Sequence, residues 1–311
     1  MVKILITGAT GFVGNSLIKE LLKSGFQVSA VLRKKVNTLP ELVKQYPVGN
    51  FDKDIDFSKI LSGVDCVIHL AGKAHVIDKN KALVSNEFRQ INTIATLNLA
   101  TQTAKIGVKR FIFISSIRVN GNKNNKPFIE QDRPNPQEPY AISKYEAEQG
   151  LFKISQETEL EVVIIRPPLV YGVKATGNYG RLLKWVNAKH PIPLPFGLVN
   201  NTRSLLALDN LIDFIILCIN HKKAVNEVFL LSDGCDLSTT ELLKDMLKIY
   251  NKKTLLLPVP ISWMVFFAKL IGREADAIRL FSSLQVDSSK ARNLLGWKPI
   301  VTMKDQLKSQ S

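Results

Sequence analysis

Cysteine is scarce in this 311-residue chain: the three present, Cys66, Cys218 and Cys235, are odd in number and far apart. That excludes a disulfide framework, offers no zinc-binding spacing and suits a reducing compartment. Histidine is equally sparse, with four residues scattered along the sequence, so no metal site is expected. No apolar run reaches the roughly 20 residues of a membrane span. The longest, residues 261–271, falls well short and contains Lys269, and reads as a buried or interface helix. The short apolar start runs straight into glycines and leaves no room for a signal peptide, so a cytoplasmic location is expected. Acidic residues are in deficit as well: 27 Asp and Glu stand against 42 Lys and Arg, a formal charge of +15.

What remains is a globular composition, 45% hydrophobic and 22% charged, able to bury a core and keep a wet surface. The length suggests two domains or one large α/β unit. The lysines are spread out, with no arginine-rich tail and no aromatic-basic motif, which argues against nucleic acid as a partner. A basic surface instead steers small dianions and suits a position beside an anionic inner membrane.

Apolar β-rich runs at residues 3–7, 27–32, 66–70, 111–115 and 162–166 alternate with helical periodicity at 15–24, 87–107 and 141–157. Gly25 and Gly107 stand where helix ends favour a left-handed residue. This alternation predicts a doubly wound parallel α/β sheet. After Arg166 the rhythm breaks into proline-rich pieces, then a strand candidate at 227–232, then helices. The expected division is a nucleotide-binding domain over 1–170, with 227–232 returning to its sheet, and a smaller interleaved α/β substrate domain over 171–311. Residues 120–126, rich in Asn and Lys, read as a mobile polar loop.

Gly8, Gly11 and Gly14 follow the first strand and open the first helix, where glycine lets the backbone turn sharply and approach a pyrophosphate held on the helix N-terminus. Farther on, Tyr140 and Lys144 lie one helical turn apart on one face, an arrangement in which the ammonium draws the phenol pKa toward neutrality. Pro139 suits the start of that helix, and Ser115 and Ser116 end a strand upstream.

The G-x-x-G-x-x-G spacing with this Ser, Tyr and Lys set resembles the extended short-chain dehydrogenase/reductase superfamily, of the NAD-dependent epimerase/dehydratase type. The resemblance runs from Ile4 to Pro299 and implies a Rossmann fold. It assigns Ser116, Tyr140 and Lys144 to catalysis. Its cofactor positions fall on Gly8, Thr10, Gly11, Phe12, Val13, Gly14, Arg33, Asn50, Phe51, Leu70, Ala71, Gly72, Asn92 and Pro167, with Tyr140 and Lys144. Arg33 stands at the end of the second strand, where NAD enzymes carry an acidic residue, so NADP(H) is favoured over NAD(H). Asn50 replaces the family's Asp beside the adenine. His69 reads as a packed strand residue.

The same resemblance implies a UDP-sugar substrate, contacted by Ser116, Asn178, Arg203 and Arg279, the guanidinium forks suiting a diphosphate. Ile117 and Arg118 occupy the place of the Asp-Glu pair of the 4,6-dehydratases, which excludes water elimination. Chemistry at C4 of the sugar remains. Arg33 and Asn120, the latter where epimerases carry Tyr, favour reduction of a UDP-4-keto-6-deoxy-N-acetylhexosamine in surface-polysaccharide synthesis. That reading follows a likeness to bacterial reductases that form UDP-N-acetylquinovosamine. UDP-glucose or UDP-N-acetylglucosamine 4-epimerisation is the alternative, and a non-catalytic NADP sensor is disfavoured by the intact triad. Family members commonly pair through two helices of the first domain, so a homodimer is expected.

Overall fold

The computed structural model describes residues 1–52, 54–74, 81–172, 174–175, 177–189 and 192–308. The first half runs β1 (Lys3–Thr7), α1 (Phe12–Lys23), β2 (Gln27–Leu32), β3 (Lys44–Pro47), α2 (Ser58–Leu61), β4 (Cys66–His69), α3 (Lys81–Phe88), α4 (Ala95–Ile106), β5 (Arg110–Ile114), α5 (Pro139–Glu157) and β6 (Glu161–Arg166). Then follow β7 (Leu169–Tyr171), α6 (Gly177–Val186), β8 (Leu205–Ala207), α7 (Leu208–Asn220), β9 (Glu227–Leu230), α8 (Thr239–Ile249), α9 (Ile261–Leu270), α10 (Glu274–Phe281), α11 (Ser289–Leu295) and α12 (Met303–Lys308).

Seven strands form one sheet in the order β3-β2-β1-β4-β5-β6-β9, every neighbouring pair parallel. This is the doubly wound Rossmann arrangement. The strand order reverses between β1 and β4, so a crevice opens at their carboxyl ends. The central strands are apolar throughout because both faces are covered: Ile4 and Ile6 face one cluster with Leu17, Ile18 and Leu21 of α1, while Leu5 faces another with Leu99 and Leu151. Gly107, with φ of 80°, ends α4 in the left-handed conformation. A single π-helical turn, Arg89–Ile94, joins α3 to α4.

Four features differ from the sequence expectation. The edge strand β3, with sequence KQYP, shows no apolar run because it pairs with β2 alone and its exposed side needs no hydrophobic cover. β9 returns to the sheet as expected, but residues 208–220 and 289–297 also pack with the first unit: α7 packs on α1, and Phe214 meets Phe229 and Trp297 edge-on in the same core. The smaller unit is built around the parallel pair β7-β8 with α6, α8 and α12. The loop at 120–126 is tied down: Asn124 exchanges hydrogen bonds with Gln285, accepting at 2.9 Å and donating at 2.7 Å. Within residues 261–271 the expected helix forms as α9 (Ile261–Leu270), yet no residue of that helix is buried.

Candidate active site

Gly8 sits at φ of +73°, and a Cβ there would come within 2.7 Å of the Ala71 amide nitrogen. At Gly14 a Cβ would meet the Gly8 carbonyl at 2.3 Å. The loop is therefore a cradle only glycine can line, closed from the β4 side by Leu70 and Ala71. Thr7 holds that side in place, its hydroxyl accepting the Ala71 N–H at 3.2 Å. No side chain caps α1 and no acidic residue lies in its first turn. Its positive end, around Phe12 and Val13, thus presents backbone N–H groups to an anion. Thr10 and Gly11 are exposed on the same turn. This donor set fits the pyrophosphate of a dinucleotide.

Arg33 is exposed just past β2 and Asn50 is exposed just past β3, while Phe51 is half-buried and stacks on His69 at 5.4 Å between centroids. His69 is a core residue. One ring nitrogen meets the Thr7 hydroxyl at 2.6 Å and the other the Thr96 hydroxyl at 2.8 Å, and burial pushes its pKa well below the usual 6.5.

Ser115 and Ser116 part company at the end of β5. Ser115 is buried and donates to Glu148, whereas Ser116 caps a turn over Ile117–Val119 and meets Tyr140 through its side chain. Burial raises the Tyr140 pKa, and the Arg118 charge and the Ser116 hydrogen bond oppose that rise. Lys144 is buried, its Nζ donating to the Ile114 carbonyl at 2.9 Å and lying 4.4 Å above the Phe113 ring. Desolvation lowers its pKa to about 8, with Glu148 pulling the other way. The cation acting on Tyr140 here is Arg118, which the sequence singled out only as a missing dehydratase carboxylate. A Cβ at Gly72 would stand 3.2 Å from both the Lys144 Nζ and the Asn92 Oδ1. The chain beyond β4 therefore runs directly past the lysine.

Asn92 projects from the π-helical turn and is fully buried. Its amide accepts from the Lys73 N–H at 2.7 Å and donates to the Lys73 carbonyl and the Ser143 hydroxyl, both at 3.0 Å. It thus fixes the segment beyond β4 against α5. Glu148 and Arg166, which sequence reasoning missed as a pair, form a buried ion pair with Nε–O distances of 3.0 and 3.2 Å, and Arg166 also donates to Asn120 at 2.9 Å. Pro167 is buried and its carbonyl accepts the Ile117 N–H at 3.0 Å, tying the turn beside Ser116 to the end of β6.

Three guanidinium groups converge near the start of α5, one of which, Arg118, acts on Tyr140. Arg118 and Arg279 share the carboxylate of Glu138, the N-cap residue of α5; Arg279 also meets Asp276 at 3.1 Å. Arg203 donates to the Arg279 carbonyl at 3.0 Å and the Leu280 carbonyl at 3.2 Å. Burial and then the charges of Arg118 and Arg279 lower its pKa. The structure thus brings Arg203 and Arg279 together, as expected, and adds Arg118 and Glu138. The side chain of Asn178, near the start of α6, lies outside the described residues.

The sequence and fold that carry these groups have known counterparts. Residues 4–231 match the NAD dependent epimerase/dehydratase family. The chain belongs to that family. It is an enzyme of the short-chain dehydrogenase/reductase type. Family relatives include a UDP-glucose 4-epimerase of Vibrio cholerae, 43% identical over 309 residues, covering 98% of this chain and 93% of the relative. Another, the N-acetyl-alpha-D-glucosaminyl-diphospho-ditrans,octacis-undecaprenol 4-epimerase of Escherichia coli O157:H7, is 27% identical over 84% of this chain and 77% of its own. Among solved structures, UDP-glucose 4-epimerase with UDP-glucose from Thermotoga maritima superposes with a TM-score of 0.80 at 26% identity, covering 99% of this chain and 96% of that one. Among the described residues no cluster of His, Cys, Asp or Glu suits a metal, and no helix is long and apolar enough to cross a membrane.

Proposed function

We propose that the protein is a nicotinamide-dependent UDP-sugar 4-epimerase. The observation that carries this reading is the Ser116–Tyr140 pair with Arg118, a member of the cluster with Arg203 and Arg279, acting on the same tyrosine. A hexose whose diphosphate lies on the arginines has its ring beside the tyrosine. The names of the Vibrio cholerae and Escherichia coli relatives agree in chemistry: both act at C4 of a hexose carried on a diphosphate.

When bound, the nicotinamide takes the C4 hydride and returns it. Tyr140 removes the proton from the C4 hydroxyl in the first half of the reaction and gives it back in the second, after the ketone has turned its other face. Ser116 donates a hydrogen bond to the same oxygen and holds it near the phenol. Arg118 favours the phenolate. Lys144, anchored on the Ile114 carbonyl beside Gly72, positions the cofactor's ribose edge. The arginines hold the diphosphate while the sugar rotates.

One observation favours a second reading, reduction of a UDP-4-keto-6-deoxy-N-acetylhexosamine with NADPH: the chain leaving β2 presents exposed Arg33, Lys34 and Lys35 and no carboxylate. The experiment that separates the two is release of cofactor from the purified, denatured enzyme, alongside incubation of the native enzyme with UDP-glucose and UDP-N-acetylglucosamine. Stoichiometric NAD and appearance of the C4 epimer support epimerisation. An empty enzyme that binds NADPH reversibly and epimerises neither sugar overturns it in favour of reduction. Tyr140→Phe is expected to lower turnover by about 10²- to 10⁴-fold with cofactor binding retained.

A further inference from the structure

Among the described residues α9 is the most apolar helix and the one with no buried residue. Trp263, Phe266, Phe267 and Leu270 recur at three- and four-residue spacing and share one face. Together with Ile271, which follows the helix, they are between 57 and 73% exposed. The half-buried Ile261, Met264, Val265 and Ala268 lie on the opposite side, and α9 packs on α10. A contiguous aromatic and aliphatic surface of this kind on a soluble chain marks a docking face.

The charges that flank it in the sequence choose the occupant. Residues 251–273 contain no Asp or Glu and carry Lys252, Lys253, Lys269 and Arg273. Lys252 reaches only a backbone carbonyl, that of Ala188, at 3.2 Å, and Arg273 alone of the four has a carboxylate within 4 Å among the described residues, Asp276 at 3.7 Å. We propose that α9 docks the protein on the surface of an anionic lipid bilayer. A 10-residue helix is too short to span the hydrocarbon core but long enough to lie in the interface, with Trp263 at headgroup depth and the lysines on anionic headgroups. Pairing of two α9 faces from two copies would instead bring Lys269 of each copy together across the seam. Because α10 carries Arg279, a docked α9 holds the arginine cluster close to the membrane surface.

Flotation of the full chain with lipid vesicles tests this. Vesicles of phosphatidylcholine mixed with phosphatidylglycerol are expected to retain at least about tenfold more protein than phosphatidylcholine alone, with the difference falling as salt rises. The triple variant Trp263→Ser, Phe266→Ser, Phe267→Ser is expected to lose about tenfold in binding while keeping wild-type turnover and thermal midpoint. Should that variant not fold, Lys252→Glu, Lys253→Glu, Lys269→Glu is expected to abolish the preference for phosphatidylglycerol. Failure of the wild-type protein to float with either vesicle, equal binding to both, or a dimer that the serine variant dissociates would each overturn the proposal.

Discussion

His69 stands at the end of β4 with both ring nitrogens engaged by Thr7 and Thr96 and aromatic rings on its faces. Both hydroxyls are satisfied by a neutral imidazole, and burial keeps it neutral. The unfolded chain takes up a proton near pH 6.5 that the folded one refuses, so His69's contribution is fully present above that pH and is lost as pH falls below it. Below pH 6.5 the unfolding free energy is expected to fall by up to about 1.4 kcal/mol per pH unit from this residue. Thermal unfolding of wild type and His69→Gln between pH 5 and 7.5 checks it, and parallel curves would remove His69 from the account. Its role as a packed strand residue was legible from its place in an apolar run. Arg118's effect on Tyr140 was not, because that contact depends on how the turn after Ser116 folds back.

At the scale of elements, α5 carries Tyr140, Lys144 and Glu148 at intervals of four residues, hence on one face. The sequence displayed the first two because their chemistry is distinctive. Glu148 looks like any helix glutamate until β6 places Arg166 against it. Removing one partner of a buried pair leaves the other charge uncompensated, so Glu148→Ala is expected to cost about 3–5 kcal/mol in denaturant unfolding. Glu157→Ala, which breaks the exposed 3.9 Å pair with Lys153 on the same helix, is expected to cost about 1 kcal/mol or less. Equal losses would mean that the Glu148–Arg166 pair does not anchor α5 to the sheet. Among strands the same distinction holds. β1 and β4 are readable because they are buried on both faces, whereas β3 is polar because it lies at the edge.

At the scale of the molecule, the arginine cluster is assembled from distant parts: Arg118 and Glu138 lie between Ser116 and Tyr140 in the sequence, Arg203 precedes β8, and Arg279 lies on α10. Substrate affinity is therefore expected to depend on the junction between the two units. Arg203→Ala should raise the KM for a UDP-sugar by more than about tenfold with little change in cofactor affinity, measured by initial rates and by cofactor titration. An equal effect on both would place the diphosphate elsewhere. By itself the sequence determined the parallel α/β sheet, the glycine cradle and the Tyr140–Lys144 spacing. These rest on local periodicity and on residue types few other tasks require. Only the tertiary structure decided that Arg118 acts on Tyr140, that α7 and α11 complete the first core, and that α9 lies bare on the surface. The reason is physical: contacts between residues far apart in sequence depend on how elements pack, and an apolar helix reads alike whether the chain covers it or leaves it open.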